Sequence, residues 1–130
     1  MKTVMAQGTF DIIHPGHLHY LKKSAELGEK LTVVIARDSR VKERKDLVFT
    51  EEERRELVDS LEMVDKAVLG NKGDIYSTVE KINPDTITLG YDQKHDEEEV
   101  KKMAENATNH EVEVKRISGF QNYSSSNIKK

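Results

Sequence analysis

The chain has 130 residues, 35% of them hydrophobic and 35% charged, which is the balance of a soluble folded domain. Its 21 basic and 24 acidic residues give a net charge of −3, which excludes a general electrostatic attraction to nucleic acid or to an anionic membrane. Cysteine is absent, so disulfides and thiolate metal sites are excluded. We expect one domain over residues 1–130 and a cytoplasmic location, because the first ten residues lack the apolar core of a signal peptide.

Short runs of branched apolar residues alternate with amphipathic segments along the chain. The runs predict five strands, at Thr3–Ala6, Leu31–Ala36, Ala67–Leu69, Thr86–Leu89 and Val112–Ile117. The amphipathic segments predict four helices, at His17–Leu27, Thr50–Leu61, Asp74–Ile82 and Asp96–Asn106. This alternation predicts an α/β fold, a Rossmann-like open parallel five-stranded sheet with helices on both faces.

The second predicted helix carries a clear start signal. Thr50 followed by Glu53 is typical of a capping box, in which each side chain bonds the backbone of the other residue. The apolar spacing along this helix predicts that Leu57, Val58 and Leu61 face the sheet.

The run GTFDIIHPGH, at Gly8–His17, stands between the first strand and the first helix. In an open parallel sheet, ligands bind at the carboxyl ends of the strands, where the strand order changes, so this run lies where a site is expected. Gly8 and Gly16 have no Cβ and allow the backbone to approach a phosphate closely. The start of the helix is expected to offer free N–H groups and a positive dipole end to that phosphate.

Two histidines in this run, His14 and His17, can both donate to phosphate oxygens. Donors placed in this way stabilise the negative charge that collects on a transferring phosphoryl group. The alternatives are a helix cap, a surface position or a metal pair. Pro15 and Gly16 between the histidines break helical spacing, and no third metal ligand is evident, so the pattern favours phosphate binding and nucleotidyl transfer.

The longer run GTFDIIHPGHLHYL resembles the first motif of the cytidylyltransferase-like nucleotidyltransferases, which carry an HxGH signature. Further segments match this superfamily in the order in which it uses them: ARDSRVK (Ala36–Lys42), EERRELVDSLEMVDKAVLG (Glu52–Gly70), LGYDQ (Leu89–Gln93) and YSSSNI (Tyr123–Ile128). The resemblance covers nearly the whole chain and implies a single nucleotidyltransferase domain.

Two branches of the superfamily fit a chain of this length, the bacterial glycerol-3-phosphate cytidylyltransferases and the archaeal FAD synthases, which are FMN adenylyltransferases. The stretches IARDSRVK, RRELVDSLEMVDKAVLG and LGYDQ are more similar to the FAD synthases. The final region, GFQNYSSSN, lacks the arginine that opens the RTEGISTT-type motif of the cytidylyltransferases, and Arg116 lies a few residues upstream of it. The resemblance therefore implies transfer of AMP from ATP to FMN, with CTP and glycerol 3-phosphate or a similar alcohol phosphate as the alternative substrates. A nucleotide-binding module without turnover is the alternative from a different class.

The resemblance also implies roles for individual residues. The catalytic residues would be His14, His17 and Lys42, and Lys45 is the alternative to Lys42 as the cation that reaches the phosphates. The nucleotide would be bound by Thr9, Phe10, His14, Pro15, Gly16, His17, Asp92, Phe120, Ser124 and Ser125. The acceptor would be bound by Asp11, Asp38 and Arg54, and Asp11 would also help to orient the loop. A divalent ion, Mg²⁺, is expected to bind through the nucleotide phosphates without protein ligands. The expected partners are the two small substrates and a second copy of the chain in a homodimer, and neither nucleic acid nor a membrane is expected.

Simpler roles stay open for several of these residues. Asp38 could cap a turn, and Arg54 could form only an exposed pair with Glu51 one helical turn earlier. Lys42 and Lys45 could belong to a solvated charged loop.

Overall fold

Each apolar run that predicts a strand forms one in the computed structural model, which describes residues 2–11, 13–37, 48–71, 75–90 and 95–118. The strands are β1 (Thr3–Gly8), β2 (Lys30–Ile35), β3 (Lys66–Leu69), β4 (Thr86–Gly90) and β5 (Glu113–Ile117). The helices are α1 (Pro15–Ala25), α2 (Glu51–Asp59), α3 (Ile75–Ile82) and α4 (Glu97–Thr108). All neighbouring strands are parallel, in the order β3-β2-β1-β4-β5, which confirms the predicted α/β fold.

Helices cover both faces of the sheet and bury a separate apolar cluster on each. On one face Val4 of β1 packs in a cluster with Leu21 of α1 and Val58 of α2. On the other face Met5 belongs to a cluster with Val79 of α3. Neighbouring residues of β1 serve different clusters because successive side chains of a strand point to opposite faces of the sheet.

The starts of α1 and α2 are set by side chains. α1 begins two residues before its predicted start, because Pro15 suits the first helical position and His14 is the N-cap. The capping box of α2 is confirmed: the Glu53 N–H donates to Thr50 Oγ1 at 3.2 Å, and the Thr50 N–H donates to Glu53 Oε1 at 2.9 Å. Among the described residues, no helix is long and apolar enough to cross a membrane.

The face of α2 that packs against the sheet differs from the predicted one. Val58 is fully buried and Leu61 packs against the same cluster, as predicted, but Leu57 is 41% exposed. The inward position one turn before Val58 belongs to Arg54, which is fully buried. A charged side chain can occupy this position only because its guanidinium finds hydrogen-bond acceptors there.

The pairing of β1 differs on its two sides. β1 pairs with β2 along all of its residues, from Thr3 to Gly8. It pairs with β4 only at Val4↔Thr86 and Met5↔Ile87. The chain runs from β1 outward to β3 on one side of β1 and then crosses to β4 on the other, so the carboxyl halves of β1 and β4 border the crevice at which ligands bind in such sheets.

Candidate active site

The loop after β1 is shaped by Phe10. This residue has φ 52°, in the left-handed region that a bulky side chain rarely adopts, and its ring is 3% exposed. A Cβ on Gly8 would lie 2.7 Å from Phe10 Cε2, so the ring fills the space that any other side chain at position 8 would need. The glycine is therefore required by the packing of the loop on itself.

The two histidines stack on each other at the start of α1. Their ring centroids are 3.9 Å apart with planes 25° from parallel. The Gly16 N–H donates to His14 Nδ1 at 3.1 Å, and the His14 N–H donates to His17 Nδ1 at 3.3 Å. Because each Nδ1 accepts a hydrogen bond from a backbone N–H, each neutral ring carries its own proton on Nε2. The cap is thus compatible with the predicted phosphate site, since Nδ1 serves the helix and a ligand would be met by Nε2–H.

The first turn of α1 is closed by the chain itself, which corrects the expectation of free N–H groups there. Pro15 has no N–H, and the N–H of Gly16 is bonded to the His14 ring. The N–H groups of His17 and Leu18 both donate to the His14 carbonyl, at 2.9 and 3.2 Å. A phosphate bound at this helix start would therefore be met by the histidine rings and the helix dipole.

The His17 ring is held on two sides. His14 stacks on one side, and the Phe10 ring makes an edge contact with a centroid distance of 5.2 Å. His14 itself is 9% exposed. The imidazoles are therefore held in place by the loop, as a site that stabilises developing charge requires.

Arg54 fastens this loop to the rest of the sheet. Its Nη1 donates to the carbonyls of Thr9, at 2.9 Å, and Ala36, at 2.8 Å, and its Nε donates to the carbonyl of Phe49 at 3.3 Å. These carbonyls belong to the loop after β1, the end of β2 and the segment before α2. The side chain is fully buried, so the alternative of an exposed pair with Glu51 is wrong. The observed hydrogen bonds position the loop, and the predicted contact of Arg54 with the acceptor stays a prediction.

Asp11 makes a second connection to the same segment. Its carboxylate accepts hydrogen bonds from the N–H groups of Val48, at 2.9 Å, and Phe49, at 3.0 Å. These bonds agree with a role of Asp11 in orienting the loop and its neighbours. Its contact with the acceptor stays a prediction.

Arg116, upstream of the final motif, has contacts within the chain. Its Nη1 donates to the Gly90 carbonyl at 2.8 Å, and its Nη2 lies 2.8 Å from a Glu97 carboxylate oxygen. It therefore ties the ends of β4 and β5 to the start of α4.

Other predicted site residues follow the carboxyl ends of β2, β4 and β5 in the sequence but lie outside the described residues. They are Asp38, Lys42, Lys45, Asp92, Phe120, Ser124 and Ser125. Their roles stay predictions. One residue that sequence reasoning missed is Tyr20, whose hydroxyl contacts both β1 and β4.

An open parallel sheet with paired imidazoles at its switch point defines a class of nucleotide-binding α/β protein. Residues 5–130 match the family model described as cytidylyltransferase-like, and the chain belongs to this family. It is 47% identical over 133 residues to the FAD synthase of Thermoplasma volcanium, covering 100% of this chain and 93% of that relative. It is also 47% identical over 104 residues to the FAD synthase of Natrialba magadii, covering 80% of this chain and 70% of that one.

A solved structure with the same fold is described as the lipopolysaccharide core biosynthesis protein from Thermoplasma volcanium GSS1. It superposes with a TM-score of 0.86 at 47% identity, covering 93% of this chain and 99% of that one.

Proposed function

We propose that the chain is an FMN adenylyltransferase, which transfers AMP from ATP to FMN and releases pyrophosphate. The stacked pair of His14 and His17, each with its proton on Nε2, carries the nucleotidyl-transfer part of the proposal. The relatives named FAD synthase, at 47% identity, support ATP and FMN as the substrates.

The reaction needs no covalent enzyme intermediate. A phosphate oxygen of FMN attacks the α-phosphorus of ATP in line, forming one P–O bond while the bond from that phosphorus to the bridging oxygen of the β-phosphate breaks. The electron pair of the broken bond leaves with pyrophosphate. His14 and His17 donate through Nε2–H to the phosphate oxygens, and Phe10 and Arg54 hold the loop that presents them.

We propose that the expected divalent ion, Mg²⁺, binds as a companion of the nucleotide. Among the residues that the structure describes, no group of three or more histidine or acidic side chains could hold an ion. The triphosphate offers the oxygen ligands that Mg²⁺ prefers, and the bound ion would neutralise part of the phosphate charge. The homodimer and the cytoplasmic location stay predictions.

The proposal is tested by following pyrophosphate and product with purified protein. We expect FAD to form from ATP and FMN, measured by chromatography and by the stoichiometric release of pyrophosphate. CTP with glycerol 3-phosphate is the second substrate pair. If pyrophosphate forms only with that pair, the chain is a cytidylyltransferase and not an FMN adenylyltransferase. If a nucleotide binds but no pyrophosphate forms with either pair, a binding module without turnover is favoured.

The histidines are tested with variants that separate chemistry from capping. Asn caps a helix well, so His14→Asn keeps the start of α1 and removes the Nε2–H donor. We expect H14N and H17A each to lower kcat by about 10²–10³-fold, the effect of losing one donor to a developing charge. His19→Ala, on the same helix, is the matched control and should keep kcat within about twofold, as substitutions away from a site do. Normal turnover in a folded H14N,H17A double variant would contradict the mechanism.

A further inference from the structure

The hydroxyl of Tyr20 lies between β1 and β4, where these strands stop pairing. The Gln7 N–H donates to Tyr20 Oη at 3.2 Å, and the Tyr20 hydroxyl donates to the Thr88 carbonyl at 2.8 Å. Tyr20 is 8% exposed and lies on α1, one turn after His17. A side chain of the helix that carries the histidines thus joins the two strands that border the crevice.

This hydroxyl occupies the place of a missing backbone hydrogen bond. The Gly8 carbonyl accepts from the Ala36 N–H on the β2 side, so its neighbour Gln7 turns its own N–H toward β4. If the parallel ladder continued in the same register, the Gln7 N–H would donate directly to the Thr88 carbonyl. With the phenol oxygen inserted, these two groups are separated by two hydrogen bonds instead of one.

A buried polar network holds the phenol in place. Thr88 Oγ1 donates to Tyr20 Oη at 3.2 Å and lies 2.8 Å from Ser24 Oγ. Ser24 Oγ in turn donates to the Tyr20 carbonyl at 2.7 Å. Ser24 and Thr88 are fully buried, so water does not compete with these bonds. Of the two hydroxyls, only that of Thr88 contacts the phenol oxygen, whereas that of Ser24 contacts Thr88 and the Tyr20 carbonyl.

We propose that Tyr20 is a positioning residue whose hydroxyl sets the width of the crevice between the loop after β1 and the carboxyl end of β4, and thereby the affinity for the nucleotide. The inference rests on the proposed function, in which the nucleotide binds in this crevice. Without the hydroxyl, the Gln7 N–H either donates directly to the Thr88 carbonyl, which narrows the crevice, or both groups are left without the hydrogen bond to Tyr20 Oη. In both cases the loop that begins at Gly8 shifts relative to β4.

The test compares Tyr20→Phe with Ser24→Ala. Both variants remove one oxygen from the same network, but S24A leaves the bridge between β1 and β4 in place. We expect Y20F to raise the KM for ATP roughly tenfold, since a small misplacement of binding groups has effects of this order or larger. The KM for FMN and the kcat at saturating ATP should change little. S24A should keep the KM for ATP even if its thermal midpoint falls as far as that of Y20F, and equal KM values in the two variants would overturn the inference.

Calorimetric titration with ATP and with CTP, without acceptor, separates this inference from the proposed function. If the wild type forms no FAD but binds a nucleotide, FMN adenylylation fails, and weaker binding to Y20F than to S24A still supports the role of Tyr20. If the wild type binds neither nucleotide, both proposals fail. If Y20F does not fold, amide hydrogen exchange in the wild type provides the test. ATP should slow exchange of the Gln7 amide more than exchange of the Thr3 amide, which lies at the far end of β1. Equal slowing of the two amides overturns the inference.

Discussion

Replacing Arg54 by Met tests whether the position of the loop after β1, which contains Thr9 and Phe10, depends on a buried guanidinium. Methionine keeps much of the aliphatic volume of arginine but donates no hydrogen bonds. The variant therefore releases the carbonyls of Thr9, Ala36 and Phe49, which belong to three different segments. We expect the loop after β1 to lose its anchor while the hydrophobic packing around Val58 largely persists.

The magnitude follows from the two short bonds, to Thr9 at 2.9 Å and to Ala36 at 2.8 Å. A buried acceptor left without a donor costs about 1–3 kcal/mol, so the two together predict a loss of about 2–6 kcal/mol in the free energy of unfolding. The variant no longer has to bury a charge, which offsets part of this loss. We therefore expect about 3 kcal/mol, or roughly 10–15 °C in the melting temperature of a domain of this size.

The assay is urea unfolding followed by circular dichroism, with Arg55→Met as the matched control. Arg55 lies on the exposed side of α2, where its Nε is 3.1 Å from a Glu52 carboxylate oxygen, and R55M should change stability by no more than about 0.5 kcal/mol. R54M should also lower kcat/KM for ATP by about 10–100-fold under conditions in which it is folded, because the Thr9 backbone is released. Equal unfolding midpoints of R54M and R55M would refute the reasoning.

Two further predictions concern the nucleotide loop and the edge of the sheet. Gly8→Ala places a Cβ 2.7 Å from the Phe10 ring and should lower the free energy of unfolding by about 1–3 kcal/mol. Gly70→Ala is the control, because its Cβ meets only ordinary contacts and the variant should be nearly as stable as the wild type. Equal melting temperatures of the two variants in scanning calorimetry would contradict the packing of the loop. The Lys101 ammonium, which donates to the Glu105 carboxylate at 2.9 Å, lowers the pKa of Glu105 below its ordinary 4.5. The carboxylate therefore stabilises the fold fully above this value and loses its effect as the pH falls through the lowered pKa. The difference in urea midpoint between wild type and Glu105→Gln should be present near pH 7 and shrink as the pH falls below 4.5, and a difference independent of pH would exclude this pair as its cause.

The order and type of all nine elements can be predicted from the sequence, and every described boundary differs from its prediction by no more than two residues. This works because strand and helix periodicity is local information. The early start of α1 shows the limit, because the His14 ring caps the helix in place of a hydroxyl or carboxylate.

The burial of Arg54 could not be predicted in the same way. Local periodicity favours Leu57 for the core and turns an arginine outward. The observed arrangement depends on the carbonyls of Thr9 and Ala36, which are distant from α2 in the sequence. No pattern within one helix records the presence of these acceptors.

Tyr20 shows the same limit at the site. Its spacing on α1 is that of an ordinary inward-facing residue, and its partner Thr88 is 68 residues away. The position of its hydroxyl depends on the register between β1 and β4, which the sequence does not reveal. The histidine pair was accessible to sequence reasoning because its members lie within one short motif, although their tautomers were not.

The closed first turn of α1 makes folding and the proposed chemistry depend on the same side chains. The His14 ring, proposed to donate to the phosphate through Nε2–H, also caps the helix through Nδ1, and His17 Nδ1 accepts a hydrogen bond from the His14 backbone. A chain that loses either imidazole is expected to fray at the start of this helix as well as to lose turnover, so each activity measurement on such a variant needs a stability measurement beside it. Asparagine at position 14 is a substitution that should separate the two effects.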